Sequence, residues 1–143
     1  MIIKAISLWE PWATLMRIGA KTIETRSWST NYRGPLLICA SKKQDKGSLR
    51  LIYEPAFKRA LGLIGPPSRG FFHFGKAVCI VDLVQCLRTE DVGLVAMPER
   101  DFGDYSFGRF AWITKNRRLI EPFPVKGRQG LFNVELPEKE RLK

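Results

Sequence analysis

Lys76 to Leu87, KAVCIVDLVQCL, is long, apolar and rich in β-branched residues, and it commits the chain to a sheet. LLICAS, from Leu36 to Ser41, is an unbroken apolar run suited to a strand buried on both faces. FGRFAWIT is a second clear strand, followed by a turn at Lys115 to Arg118 and a short run to Ile120. EPFPVKGRQGLFNV carries two prolines, two glycines and a final short strand. With Ile2 to Ile6 and an alternating Thr22 to Trp28, the pattern predicts an α+β, mainly β domain. Strands of this length joined by turn-rich segments suit a small β-barrel with short helices around it.

Two helices fit the remaining sequence. Ser7 and Glu10 have the S-x-x-E spacing of a capping box, and Pro11 suits the first turn of a helix running to Ile18 and closed by Gly19. Trp12, Leu15 and Met16 give it one apolar face. Leu49 to Leu61 has near-helical apolar spacing, with Pro55 placed to start or kink a helix. Lys42 to Gly47 reads as a polar loop, GLIGPPSRGFFHFG as an irregular connection, and Thr89 to Ser106 as acidic and turn-rich. The 143 residues fit one domain over 1–136, with a charged tail over 137–143.

There is no apolar run long enough for a membrane helix, and MIIKAISLWEPW lacks the layout of a signal peptide, so a cytoplasmic protein is expected. Cys39, Cys79 and Cys86 form no CxxC pair and sit in apolar contexts, which predicts buried thiols in a reducing compartment. His73 is the single histidine. With no CxxC pair and one histidine a metal site is not expected, nor is a cofactor; P-loop, Rossmann and nucleophile-elbow patterns are absent. The formal net charge is +10, a bias that points to a polyanionic partner, or alternatively to solubility alone. It is uneven: Met1 to Arg50 carries nine basic and three acidic residues, whereas Arg88 to Ser106 carries two basic and five acidic.

Gly19 to Gly34, GAKTIETRSWSTNYRG, holds more ionisable chemistry than a strand needs. Alternation puts Glu24 and Arg26 on one face, and the turn at Gly19 and Ala20 allows Lys21 to curl towards them. In a closed site Lys21 would act as a general base or orient a nucleophile; on an open surface the three would be an ion-pair ladder of little energetic value. Trp9, Trp12, Trp28 and Tyr32 interleave with these cations, as expected where bases stack beside phosphate-neutralising groups, although most would equally serve a core. Tyr32 and Arg33 lie in a glycine-bounded turn, Lys126 and Arg128 in a loop flanked by glycines, and Tyr105, Arg109 and Trp112 mix aromatic and cationic character near a strand.

These residues identify a resemblance. SLWEPWATLMRIGAKTIETRSWSTNYRGPLLICASK, GKAVCIVDLVQC, GDYSFGRFAWI and IEPFPVKGRQGLFNV resemble the ASCH family, the ASC-1 homology domains related to PUA domains. The G-x-K-x-x-E-x-R signature with its downstream YRGP carries the likeness. The resemblance implies a PUA-like barrel with a cleft lined by that signature. It also implies binding of RNA or other nucleic acid, with some small bacterial members acting as hydrolases of N4-acetylcytidine or as ribonucleases. In the amidohydrolase type a lysine is followed three residues later by a threonine nucleophile. Lys21 matches the lysine, but Glu24 occupies the threonine position, and Cys39 stands where many relatives have histidine.

The expectation is therefore a binding module for a nucleotide or single-stranded RNA. Lys21, Arg26, Arg33, Lys42, Lys126 and Arg128 would neutralise phosphate and Trp9 and Tyr32 would stack on bases. Glu24 would accept from a base or fix Lys21, with Ser41 and Tyr105 also at the site. The alternative is a metal-independent hydrolase of RNA or an acylated nucleoside, with Lys21 and Glu24 as proton-transfer groups and water as nucleophile. An accessory domain with incidental charge is the third reading.

Overall fold

Six strands form one mixed sheet in the order β2-β5-β4-β3-β1-β6 in the computed structural model, which describes residues 1–140. In chain order these are β1 (Ile2–Leu8), β2 (Ile23–Arg26), β3 (Gly34–Ala40), β4 (Lys76–Arg88), β5 (Phe110–Pro124) and β6 (Phe132–Glu135). β1 and β3 pair in parallel; every other ladder is antiparallel. The sheet's edges are β2 and β6, so the barrel expected from the sequence is not closed by a ladder among the described residues. It nevertheless curls: Arg26 Nη2, on edge strand β2, donates to the Ser7 carbonyl of β1 at 2.6 Å, although three strands lie between them. The fold is the mainly-β α+β class that the strand pattern predicted.

Alternation along β1 explains the two sides of the sheet. Ile6 and Leu8 join Leu36, Ile38, Val81, Leu83 and Trp112 in the apolar cluster on one face. Ile3 and Ala5 join Leu37, Ile80, Phe132 and Leu136 on the other. β4 is interrupted by bulges, and one of them, between Ala77 and Cys79, sets Val78 and Cys79 both into the first cluster. The guanidinium of Arg17 donates to the carbonyls of Val78 and Ile120, so the irregular stretch of the β4–β5 ladder keeps its acceptors satisfied.

Several local expectations change. The first helix, α1, covers Trp12–Arg17, and Ser7 is not its cap, because it belongs to β1. Glu10 instead folds its buried carboxylate onto the helix start, accepting from Thr14 N and Thr14 Oγ1, each at 2.7 Å. The single helix expected over Leu49 to Leu61 is broken into α2 (Lys46–Leu49), a 3-10 turn (Arg50–Tyr53) and α3 (Pro55–Leu61). Pro55 excludes helical geometry at Glu54, which is extended at φ −72° and ψ 138°, and then starts α3 itself. α2 also takes the last residues of the expected 42–47 loop, because Asp45 accepts from Ser48 N at 2.9 Å and caps it. The turn expected at Lys115 to Arg118 is a continuous part of β5, with Asn116 at φ 55° taking up the irregularity. Glu138–Glu140 forms a 3-10 turn, and Lys139 pairs with Glu121 at 2.9 Å. The rest of the charged tail, 141–143, lies outside the described residues.

A third apolar cluster (Leu15, Ile52, Phe57, Leu61 and Phe102) joins the helices to the acidic segment. Phe102 is 1% exposed and meets Phe57 edge-on at 5.0 Å. This anchor brings residues 99–104 against β2, where Glu99 Oε1 accepts from Thr22 N at 2.6 Å and Thr22 Oγ1 at 2.7 Å. No helix among the described residues is long and apolar enough to cross a membrane.

Candidate functional site

β2 pairs with β5 so that Glu24 lies opposite Trp112 and Arg26 opposite Phe110. Trp112 is fully buried; its indole donates to Trp28 O at 3.2 Å and its ring meets Trp28 edge-on at 4.8 Å. The short β2 strand is thus backed by an aromatic wall, which holds the Glu24 and Arg26 side chains over a cavity of about 510 Å3. Trp9, Trp12, Trp28 and Phe57 supply its apolar walls, and Glu24, Asp101 and Asp104 supply carboxylates. A second cavity, of about 680 Å3, adjoins it and shares Ser7, Trp9, Arg26 and Trp28. Its other lining residues include Ser41, Lys42, Lys43 and Arg128, with Gly127 and Gly130 from the β5–β6 loop. Together the cavities make one cleft with an aromatic-acidic end and a cationic end.

Lys21 is the residue whose role the structure revises most. Its side chain is 0% exposed, and Nζ donates to Ile23 O at 2.5 Å and Phe102 O at 2.9 Å, with Glu24 Oε1 at 3.4 Å. Two main-chain carbonyls and the neighbouring carboxylate enclose the ammonium. Lys21 therefore stands behind the wall: it lines neither cavity, and its sealed ammonium is out of reach of a phosphate bound in the cleft. Glu24 is 14% exposed and is held from its other side by Arg26 Nε at 3.0 Å from Oε2. That contact is close but poorly aligned as a hydrogen bond, since Arg26 Nε has no hydrogen-bonded partner. The Glu24–Arg26 face predicted from alternation is thus present, and the predicted curl of Lys21 occurs, but as a buried strut.

The other predicted residues separate into two groups. Trp9, Glu24 and Arg26 line the first cavity; Trp9, Arg26, Ser41, Lys42 and Arg128 line the second. Trp9 is 42% exposed, with Lys43 Nζ 5.7 Å from its ring centroid, a cation–π contact at the cleft mouth. Tyr32, Arg33, Tyr105 and Lys126 line neither cavity. The Tyr32 hydroxyl donates to Pro35 O at 2.5 Å and its ring packs on the core, so it braces the turn rather than stacking on a ligand. Burial and the charge of Asp82 push its pKa up. Arg33 donates to Thr30 O and Tyr32 O at 2.9 and 2.8 Å and to Gln85 at 3.2 Å, which engages it in the same turn. Tyr105 has a buried hydroxyl without a partner and a pKa pushed up to about 12, by burial first and then by the nearby Glu99. Arg100 lies 5.4 Å from its ring.

Sequence reasoning missed the acidic wall. Asp104 N donates to Thr25 Oγ1 at 2.9 Å, and Arg109 bridges Asp104 O at 3.2 Å and Thr25 O at 3.3 Å, pinning 103–109 along β2. The D-Y-S spacing is the available signal, because Asp104 Oδ1 accepts from Ser106 N at 3.0 Å in an Asx turn that presents the segment. Ser106 donates through both its N and its Oγ, and these bonds hold the Asp104 carboxyl below its usual range. Gly103 fits here because a Cβ would lie 3.0 Å from the Tyr105 ring and 3.1 Å from Thr25 Cγ2.

His73 is half-buried and lies outside both cavities; burial, then Arg17 and Lys76, lower its pKa. Cys39 and Cys79 are buried thiols pushed up to about 12 by desolvation. Among the described residues no group of three or more His, Cys, Asp or Glu side chains is arranged to hold a metal ion.

A curled mixed sheet with its cleft between β1, β2 and the following loops defines an ASCH/PUA-like domain. The chain belongs to the ASCH domain family, whose model matches residues 6–123. It is 30% identical over 135 residues to activating signal cointegrator 1 of both Mus musculus and Homo sapiens; the match takes in 91% of this chain and 22% of each relative, so the chain spans under a quarter of their length. The crystal structure of ASCH from Zymomonas mobilis superposes with a TM-score of 0.51 at 15% identity, over 96% of this chain and 89% of that one. A tyrosine-to-phenylalanine mutant from the same organism gives 0.52 at 14%, over 92% and 89%. At these identities the two structures establish the fold.

Proposed function

We propose that the cleft binds a nucleotide or a single-stranded RNA segment, with a base in the aromatic-acidic cavity and phosphate in the cationic one. The observation that carries this reading is the joining of two chemically opposite cavities through shared walls at Trp9, Arg26 and Trp28. Exposed Trp9 offers an aromatic face at the junction, and base stacking on such a face contributes about 1–3 kcal/mol. Glu24, oriented by Lys21 and Arg26, accepts hydrogen bonds from the donor edge of a base. Lys42 and Arg128 form no ion pair or side-chain hydrogen bond among the described residues and are open to phosphate.

The hydrolase reading draws less support, because it needs Lys21 as a proton-transfer group and Lys21 is sealed away from both cavities. The test is a titration of short single-stranded RNA followed by tryptophan fluorescence, with Trp9→Ala and Lys42→Ala beside the native chain. Binding that is weakened at least tenfold by each substitution is expected. Native affinity in both variants would refute the placement.

A further inference from the structure

We propose that the cationic cavity is a subsite for a terminal phosphate monoester, so that the ligand is a mononucleotide or an RNA end rather than an internal stretch of backbone. The inference rests on the nucleotide-binding reading above and specifies its ligand.

Charge density favours a monoester over a diester. Lys42, Lys43 and Arg128 converge on one recess of about 680 Å3, with Arg26 in its wall shared with the first cavity. A phosphodiester brings a single negative charge, which one cation offsets. A monoester carries about −1.5 to −2 near neutral pH and offers three acceptor oxygens, which matches a cluster of several cations. In the other cavity Arg26 is paired with Glu24 and Arg109 with Asp104, so that end offers a dianion no unpaired cluster of cations.

Ser7 adds an unused donor. Ser7 lines both cavities, and its Oγ, shielded from solvent, has no hydrogen-bond partner. Isolation of a buried hydroxyl carries a penalty that a phosphate oxygen would relieve. The β5–β6 loop closes over it: a Cβ on Gly127 would lie 3.0 Å from Ser7 Oγ, so glycine lets the main chain come close to the hydroxyl. On the open side Lys42 and Arg128 are exposed, which leaves their charged ends free to close on the ligand.

The test compares one short single-stranded RNA in three forms: 5′-phosphorylated, 3′-phosphorylated, and with hydroxyls at both ends. One phosphorylated form is expected to bind at least tenfold more tightly than the hydroxyl form. The advantage should disappear in Lys42→Gln/Arg128→Gln and shrink as pH falls through about 6, where the monoester dianion takes up a proton and becomes a monoanion. Both side chains are on the surface, and a thermal melt matching the native chain verifies the fold of the variant. Equal affinity for all three forms, or an advantage that survives in the double variant, overturns the subsite while leaving the nucleotide reading in place. Absence of binding by any of the three overturns both.

Discussion

Lys21 Nζ lies 3.4 Å from Glu24 Oε1 while also donating to the carbonyls of Ile23 and Phe102, so one sealed ammonium ties β2 to the acidic segment and fixes the carboxylate that faces the cleft. Replacing Lys21 with Met removes the charge and orphans two carbonyls. The expected loss is about 3 kcal/mol or more in chemical denaturation, as for a buried pair broken on one side. Lys21→Arg should not rescue it, since a planar guanidinium does not fit a fully enclosed space shaped for an ammonium.

Glu24→Gln removes the carboxylate beside the sealed Lys21 ammonium, so the fold should lose about 3 kcal/mol or more, as for a buried pair broken on one side, and the anionic acceptor at the cleft is gone as well. Calorimetric titration with the same short RNA should then show affinity reduced at least tenfold.

The two tryptophans at the cleft junction should behave differently. Trp9 is 42% exposed, so Trp9→Ala should change stability by no more than about 1 kcal/mol yet abolish ligand-induced fluorescence quenching. Trp28 packs edge-on against buried Trp112, so Trp28→Ala should destabilise by roughly 2 kcal/mol or more.

Two carboxyls give opposite pH dependences of stability. Hydrogen bonds from Arg118 and then Asn116 lower Asp82 below 3.8; its contribution is present above that pH and lost as pH falls through the lowered value. Asp82→Asn should therefore reduce stability by about 0.5–1 kcal/mol at neutral pH, a difference that vanishes in acid. Glu10 is raised above 4.5 chiefly by burial, against hydrogen bonds from Thr14 and the His73 backbone. Its contribution is complete below 4.5 and is lost as pH rises through the raised value. Relative to the native chain, Glu10→Gln should become more stable as pH rises through that range. Denaturation curves from pH 3 to about 7 measure both slopes.

What the chain disclosed in advance was local. Alternation in Ile23–Arg26 put Glu24 and Arg26 on one face, and the glycine turn before it allowed Lys21 to approach. The burial of Lys21 was not legible, because it depends on the Phe102 carbonyl 81 residues away and on Phe57 anchoring that segment. Tyr32 and Arg33 looked free because their acceptors are main-chain carbonyls, which have no sequence signature. Lys115 to Arg118 looked like a turn for the converse reason: an edge-exposed stretch of a long, bulged strand carries the same charged residues as a loop. Curling of the sheet, which brings Lys42 and Arg128 to one cavity, follows from ladders between strands distant in sequence.

The most direct test of the cleft as a nucleic-acid site is the affinity of a short single-stranded RNA measured between 50 and 200 mM salt. With about three phosphate-neutralising cations the affinity should fall by roughly an order of magnitude over that range, and the slope should flatten in Lys42→Gln/Arg128→Gln. An affinity unchanged across the range, or a slope identical in the double variant, would contradict the account.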